Sequence, residues 1–170
     1  MPEVFVSLGS NVERDRHVPA VLRELGSLFG PLTLSSVYES EAVGFQGDPF
    51  YNLVLAFHTE RPPQDVARAL SELETLHGRT RDSQKFAPRP LDLDLILYGD
   101  EIISEGKLRV PRADLTEYAF MLEPMAEIAP DRVHPVLGKT YRDLWAAYDK
   151  GKAKQQRIVP PWQTEPQEAP

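Results

Sequence analysis

The spacing of apolar residues changes several times along the chain, and each change marks an element. Residues 4–8 form a short apolar run, V-F-V-S-L, closed by Gly9-Ser10-Asn11; this reads as a first strand ending in a turn. Over residues 14–29, Val18, Val21, Leu22, Leu25 and Leu28 recur at three- and four-residue steps, which predicts a helix with one buried stripe. Gly30-Pro31 stops it. Residues 32–38 and 53–57 predict a second and a third strand, and residues 39–49 between them, rich in glycine and polar groups, predict a loop. Pro62 and Pro63 open a second helix. Its stripe is Val66, Ala69, Leu70, Leu73 and Leu76, and Gly78 ends it. Residues 91–98, L-D-L-D-L-I-L-Y, alternate and then turn fully apolar, predicting a fourth strand.

Strand-helix-strand-strand-helix-strand is the ferredoxin-like βαββαβ order, an α+β core with an antiparallel sheet and helices on one face. Beyond it, residues 102–110 predict a short hairpin. Residues 115–128 predict a third helix, interrupted by Pro124, and Thr140 caps a last one running through Tyr148. Residues 151–170 lose apolar periodicity and gain Lys, Gln and Pro, so they are expected to be a disordered tail after a single domain spanning residues 1–150.

Composition narrows the class. The chain has 170 residues, 41% of them hydrophobic and 26% charged, which suits one globular domain with a proper core. A formal net charge of -7 argues against nucleic acid as a bulk electrostatic partner. Without cysteine there is no disulfide framework and no thiolate chemistry. No stretch is apolar enough to span a membrane and none has the layout of a signal peptide, so a soluble cytoplasmic protein is the expectation.

The candidate chemistry lies in residues 79–98. On a strand, Leu91, Leu93, Leu95 and Leu97 share one face and Asp92 and Asp94 the other. Two carboxylates about 6.6 Å apart on one rigid face form an acceptor-only pair suited to a hard divalent cation. Arg79, Arg81, Lys85 and Arg89 stand just upstream in an otherwise acidic chain, with Pro88 and Pro90 stiffening the backbone around Arg89. Metal carboxylates beside arginine and lysine are the parts of phosphate-transfer sites. Taken singly, a D-x-D strand and a basic loop are more often solvated surface; their adjacency favours function.

The run F-A-P-R-P-L-D-L-D-L-I-L-Y-G resembles the signature of the 6-hydroxymethyl-7,8-dihydropterin pyrophosphokinase family. The resemblance extends from V-S-L-G-S-N near the start, through Tyr51-Asn52, to H-P-V-L-G-K-T, covering about residues 4–150. It implies further helices on the second face of the sheet, giving a three-layer αβα sandwich. It implies pyrophosphoryl transfer from ATP to the pterin hydroxymethyl group, release of AMP, and two Mg²⁺ ions held by Asp92 and Asp94. Arg79 and Arg89 match the family's catalytic arginines. Glu74, Arg81, Leu95, Lys107 and Arg112 fall at nucleotide positions. Ser40, Val43, Phe50 and Asn52 fall at pterin positions, with Phe86 and Phe120 sandwiching the ring. A monomer is expected, with no nucleic-acid or membrane partner.

The chain also departs from the pattern. Phe86 and Ala87 stand for the usual Trp and Gly, Asp82 interrupts the basic loop, Arg112 replaces a nucleotide-contacting His, and Tyr118 an Arg. Two other readings are open on sequence grounds: a non-catalytic descendant that binds nucleotide or pterin, and an unrelated nucleotidyl- or glycosyltransferase using D-x-D by convergence. The four histidines give no metal pattern; His17, His58 and His77 read as isolated and His134 as structural.

Overall fold

The computed structural model describes residues 1–41, 49–78 and 90–163. Strand β1 (Glu3–Ser10) leads into helix α1 (Arg14–Phe29). Strands β2 (Thr33–Leu34), β3 (Val37–Ser40) and β4 (Phe50–His58) follow, then helix α2 (Pro63–Leu76) and strand β5 (Asp92–Tyr98). The sheet order is β5-β1-β4-β3-β8, where β8 is Gln155–Ile158 and β2 pairs with β4. Its first four members are antiparallel neighbours in the ferredoxin-like arrangement expected of this element order.

The sheet separates two apolar layers. On one side Val4, Val6 and Leu8 of β1 meet Val18, Val21 and Leu25 of α1 and Val66, Leu70 and Leu73 of α2. On the other, Phe5, Val54, Ala56 and Ile96 pack under helices α3 (Asp114–Glu117), α4 (Ala119–Ile128) and α5 (Tyr141–Ala147). A separate hairpin, β6 (Ile103–Glu105) with β7 (Leu108–Val110), lies between the two halves of the chain. The result is a three-layer α/β/α sandwich. Among the described residues no helix is long and apolar enough to cross a membrane.

Several local expectations change. Leu97 does not share a face with Leu91, Leu93 and Leu95. Phe5 pairs with Leu97 but Val6 with Leu95, so Ile96 is an extra residue in β5. Such a bulge reverses the facing of everything after it: Leu97 joins the α3–α5 layer and Tyr98 the α1–α2 layer. The second strand is broken into β2 and β3. Between them the Ser35 hydroxyl accepts the Val54 N–H at 3.0 Å and donates to the Ser36 carbonyl, replacing ladder bonds by side-chain ones. Glu39 and Ser40, expected in a loop, belong to β3. In α1 the stripe passes through Phe29, which stacks on Phe57 with ring centroids 4.2 Å apart, while Leu28 is exposed; Leu76, past the last packed turn of α2, is exposed too.

Pro124 does not interrupt its helix. It is buried within α4, at the expense of one N–H that would have bonded the Phe120 carbonyl. The interruption is at Tyr118, whose extended backbone (φ -116°, ψ 131°) separates α3 from α4. Thr140 caps α5 as expected, its hydroxyl accepting the Asp143 N–H at 3.1 Å. The expectation of a disordered tail fails over β8, which pairs with β3 from Val37↔Ile158 to Ser40↔Gln155. Trp162 then sets its ring edge-on to Tyr51, 5.6 Å between centroids. Residues 164–170 lie outside the described residues.

Candidate functional site

Cross-strand register assembles the site. Asp92 of β5 is opposite Gly9 of β1, and Gly9 is opposite Asn52 of β4. One row lower, Asp94 is opposite Ser7. Directly paired residues point to the same face, so Asp92, Asp94, Ser7 and Asn52 all face the α3–α5 layer. Asp92 and Asn52 are two strand spacings apart, about 10 Å. The space between them is open because residue 9 is glycine: a Cβ there would stand 3.2 Å from Asn52 Oδ1 and 3.7 Å from Phe50 Cδ1.

The buried Asn52 amide donates to Ser40 Oγ at 2.9 Å. That bond holds the amide against β3, with Oδ1 on the side of Gly9. Ser40 is itself opposite Phe50 in the β3–β4 ladder. Three of the expected pterin positions, Ser40, Phe50 and Asn52, therefore form one patch. Phe120, at the start of α4, packs on the neighbouring apolar cluster and stacks with Tyr118 at 5.5 Å. Val43 and Phe86 lie outside the described residues.

Beside β5 is a cavity of about 430 Å³. Its walls include Glu74, Leu95, Lys107 and Arg112, four of the five expected nucleotide positions; the fifth, Arg81, lies outside the described residues, as do Arg79 and Arg89. Asp94 also reaches this cavity. Arg68 and Arg109 line it as well and were not singled out in the sequence. Their signal was faint: a helix arginine four residues after Gln64, and an arginine alternating with Lys107 across Leu108. An acidic chain thus brings Arg68, Lys107, Arg109 and Arg112 to one hollow, a volume in the range of small-molecule sites.

Arg112 is held by two carboxylates, Nη1 lying 3.9 Å from Asp94 Oδ1 and Nη2 3.5 Å from Asp114 Oδ2. Among the described residues its buried Nε has no hydrogen-bond partner, so there the fork is anchored at its tip. Glu74 reaches from α2 to the open edge of the sheet, where Oε2 accepts the Leu93 N–H at 2.7 Å. Asp92 and Asp94 are each half-buried on a polar face. Two such hard oxygen donors suit magnesium, which takes one or two protein carboxylates and fills its remaining positions with water or phosphate. Among the described residues there is no cluster of three His, Cys, Asp or Glu that would make an all-protein cage.

His17 and His77 are not isolated. Their Nδ1 atoms are 2.7 Å apart, and His77 Nε2 is 2.7 Å from Glu24 Oε1. A carboxylate accepts, so His77 Nε2 carries hydrogen and, in the neutral ring, Nδ1 accepts from His17 Nδ1–H. The Arg16 guanidinium then faces His17 Nε2 at 3.4 Å. Burial chiefly, with Arg16 and His77 adding to it, holds the His17 pKa below its ordinary value. His134 accepts the Val136 and Leu137 N–H groups at Nδ1, a structural role as expected.

Fold and site define a ferredoxin-like α/β/α protein with an acidic pair on its sheet and a cation-lined hollow at the sheet edge. The family model described as 7,8-dihydro-6-hydroxymethylpterin-pyrophosphokinase (HPPK) matches residues 5–130, and the chain belongs to that family. It is 34% identical over 146 residues to the 2-amino-4-hydroxy-6-hydroxymethyldihydropteridine pyrophosphokinase of Aquifex aeolicus, covering 85% of this chain and 91% of that one. The protein of the same name from Pseudomonas aeruginosa is 37% identical over 134 residues, 75% of this chain and 81% of the other. A crystal structure of Plasmodium falciparum HPPK-DHPS with pteroate superposes with a TM-score of 0.74 at 14% identity, over 93% of this chain and 46% of the other. The chain thus spans about half the length of that solved structure, and the likeness is one of fold.

Proposed function

We propose that the protein transfers a pyrophosphoryl group from ATP to 6-hydroxymethyl-7,8-dihydropterin, releasing AMP, a step of folate biosynthesis. The observation that carries this reading is the juxtaposition on one sheet face: a patch built from Ser40, Phe50 and Asn52, a floor opened by Gly9, and the Asp92/Asp94 pair, of which Asp94 borders the cavity lined by Lys107, Arg109 and Arg112.

The roles follow from the chemistry. The pterin ring carries donors and acceptors along one edge. The Asn52 amide, held by Ser40, can meet such an edge as donor and acceptor, and Phe120 offers an apolar face for the ring. In the cavity, Lys107, Arg109 and Arg112 balance the triphosphate charge, while Glu74 and Leu95 shape the wall toward the nucleoside. The hydroxymethyl oxygen attacks the β-phosphorus, loses its proton, and the bond from that phosphorus to the AMP oxygen breaks. Little covalent help is needed, so holding both reactants in line supplies most of the rate. Asp92 and Asp94 would hold two Mg²⁺ ions, whose chemistry when bound is to neutralise developing phosphate charge. Arg79, Arg81 and Arg89, with Val43 and Phe86, keep the roles their places in the motif assign them: phosphate contact for the arginines, ring contact for the other two.

A net charge of -7 and the absence of cysteine suit a monomer working in the cytoplasm on small molecules, with no nucleic-acid or membrane partner. The test is mass spectrometry of a reaction containing ATP, magnesium and the pterin alcohol. Equal amounts of AMP and pterin diphosphate are expected. ADP as the nucleotide product, or no pterin product, overturns the proposal.

A further inference from the structure

We propose that residues 155–162 form a strap that positions the pterin patch, with Gln155 and Trp162 as positioning residues on opposite faces of the sheet. The inference rests on the pterin reading above and goes beyond the family match, which ends at residue 130.

The strap touches the patch from three directions. First, β8 covers the outer edge of β3, with Gln155 opposite Ser40, and Ser40 in turn opposite Phe50. Ser40 is the residue that orients the Asn52 amide. Second, the Gln155 side chain crosses to the start of α4. Its Nε2 donates to the Ala119 carbonyl at 3.1 Å and to Glu123 Oε1 at 2.9 Å. Ala119 precedes Phe120, so one amide side chain ties the Ser40 row to the helix end that carries the aromatic ring. Third, on the opposite face Trp162 packs edge-on to Tyr51, the residue between Phe50 and Asn52. Tyr51 is flanked on its other side by the Arg14 guanidinium, 3.8 Å from the ring centroid. Arg14 also donates to the Pro49 carbonyl at 2.8 Å and pairs with Glu39 at 2.7 Å. Arg14 thus fastens the β3 and β4 ends that flank the patch, and Trp162 sets its ring edge-on against the Tyr51 ring that Arg14 covers.

An anchor keeps the strap in register. Arg157 Nη2 donates to Tyr38 Oη at 3.2 Å, and that hydroxyl donates to Glu127 Oε1 at 2.7 Å. Glu127 also accepts from the Ser36 backbone N–H and hydroxyl. A one-residue slip of β8 would turn Gln155 away from α4 and break this network. The strap acts on substrate placement: β8 lies at the opposite end of the sheet order from β5, and none of residues 155–162 lines the cavity.

The experiment compares wild type with Gln155→Ala, Trp162→Ala and Trp162→Phe by steady-state kinetics, varying pterin and ATP separately, and by hydrogen exchange without substrates. Gln155→Ala and Trp162→Ala should raise the pterin KM about fivefold or more while the ATP KM stays within about twofold, since misplacement of the reacting group is what is lost. Trp162→Phe should recover most of the pterin KM. Exchange should rise over residues 37–40 and 50–52 in the alanine variants and stay unchanged in β1 and β5. Variants equal to wild type in both readouts, or pterin and ATP KM rising together, overturn the strap alone. A wild type that neither binds nor turns over the pterin overturns the functional reading beneath it, while local exchange changes would still mark the segment as a structural brace.

Discussion

Glu74 Oε2 accepts the backbone N–H of Leu93 at 2.7 Å. Leu93 is the residue between the two site aspartates, and among the described residues β5 is an edge strand whose outward N–H groups have no neighbouring strand. Helix α2 therefore holds the acidic strand by its backbone, leaving both aspartate side chains on the site face. Glu74→Ala should lower stability by about 1 kcal/mol, the low end for a deprived donor that water can reach, and raise the ATP KM. Glu74→Gln keeps an acceptor and should stay near wild type in thermal melts. A Gln variant as damaged as Ala would mean that the charge, and not the strand bond, is what matters.

Asp92→Asn and Asp94→Asn should each lower kcat on the order of a hundredfold or more, because phosphate charge goes uncompensated. Both side chains are partly exposed and belong to neither apolar cluster, so melting temperatures should hold. Turnover in excess EDTA, or full activity of either variant, would remove the magnesium assignment.

Arg112, which the resemblance to the family pattern places at a position expected to hold His, lines the cavity with Lys107. Arginine stays charged at all physiological pH and offers a fork of donors to phosphate. Arg112→Ala should weaken binding of a non-hydrolysable ATP analogue by about 1.5–3 kcal/mol, the size of a lost charged hydrogen bond, with pterin affinity little changed. Calorimetric titration measures both; unchanged nucleotide affinity would assign Arg112 to its ion pairs with Asp94 and Asp114 alone.

Gly9→Ala tests the floor of the pterin patch. Its backbone is in an ordinary region, so the added methyl costs the fold little, yet it would lie 3.2 Å from Asn52 Oδ1. The Asn52 amide must then give way by a few tenths of an ångström, which shifts the oxygen offered to the pterin edge. The pterin KM should rise about tenfold and the ATP KM should not move. Equal effects on both substrates would point to a general loosening of β1.

Burial of His17 makes stability depend on pH. The folded His17 binds its proton more weakly than the unfolded one, because burial and the neighbouring Arg16 oppose the charge. Unfolded chains therefore take up protons first as pH falls through about 6.5. Stability should be full above that value and decline below it, toward the lower pKa of the folded ring. His134, also depressed by burial, acts in the same direction. Melting temperatures at pH 7.5 and 5.5 measure the slope, and His17→Gln should flatten it. An unchanged slope would assign the effect to other groups.

What could be read from the chain was whatever depends on local spacing. The α1 and α2 stripes apart from their last members Leu28 and Leu76, the Thr140 cap and the L-D-L-D alternation all follow from neighbours within a turn or a pleat. The facing of Leu97 could not be read, since a bulge at Ile96 is set by the partner strand β1. Nor could β8: Gln155-Gln156-Arg157-Ile158 is an edge strand with polar residues on both faces, and it lacks the alternation that marks a half-buried strand. The pairing of His17 with His77 joins residues 60 positions apart, and no spacing rule reaches that far. At the site, the motif marked Asp92, Asp94 and Asn52, whereas Arg68 and Arg109 became visible only when α2 and the β6–β7 hairpin closed around the cavity.

The β3–β8 pairing also sets an order of events during synthesis. Tyr38 and Arg157 lie 119 positions apart, so everything from β1 to α5 leaves the ribosome before the outer edge of β3 meets its partner. Until then a nascent chain presents β3 as a bare edge, the kind of surface that captures strands from other chains. Contacts of such long separation also form late in folding. A chain stalled short of residue 155 would therefore hold most of its sheet and both apolar layers yet remain open to misassembly, and chaperone engagement should concentrate in that interval.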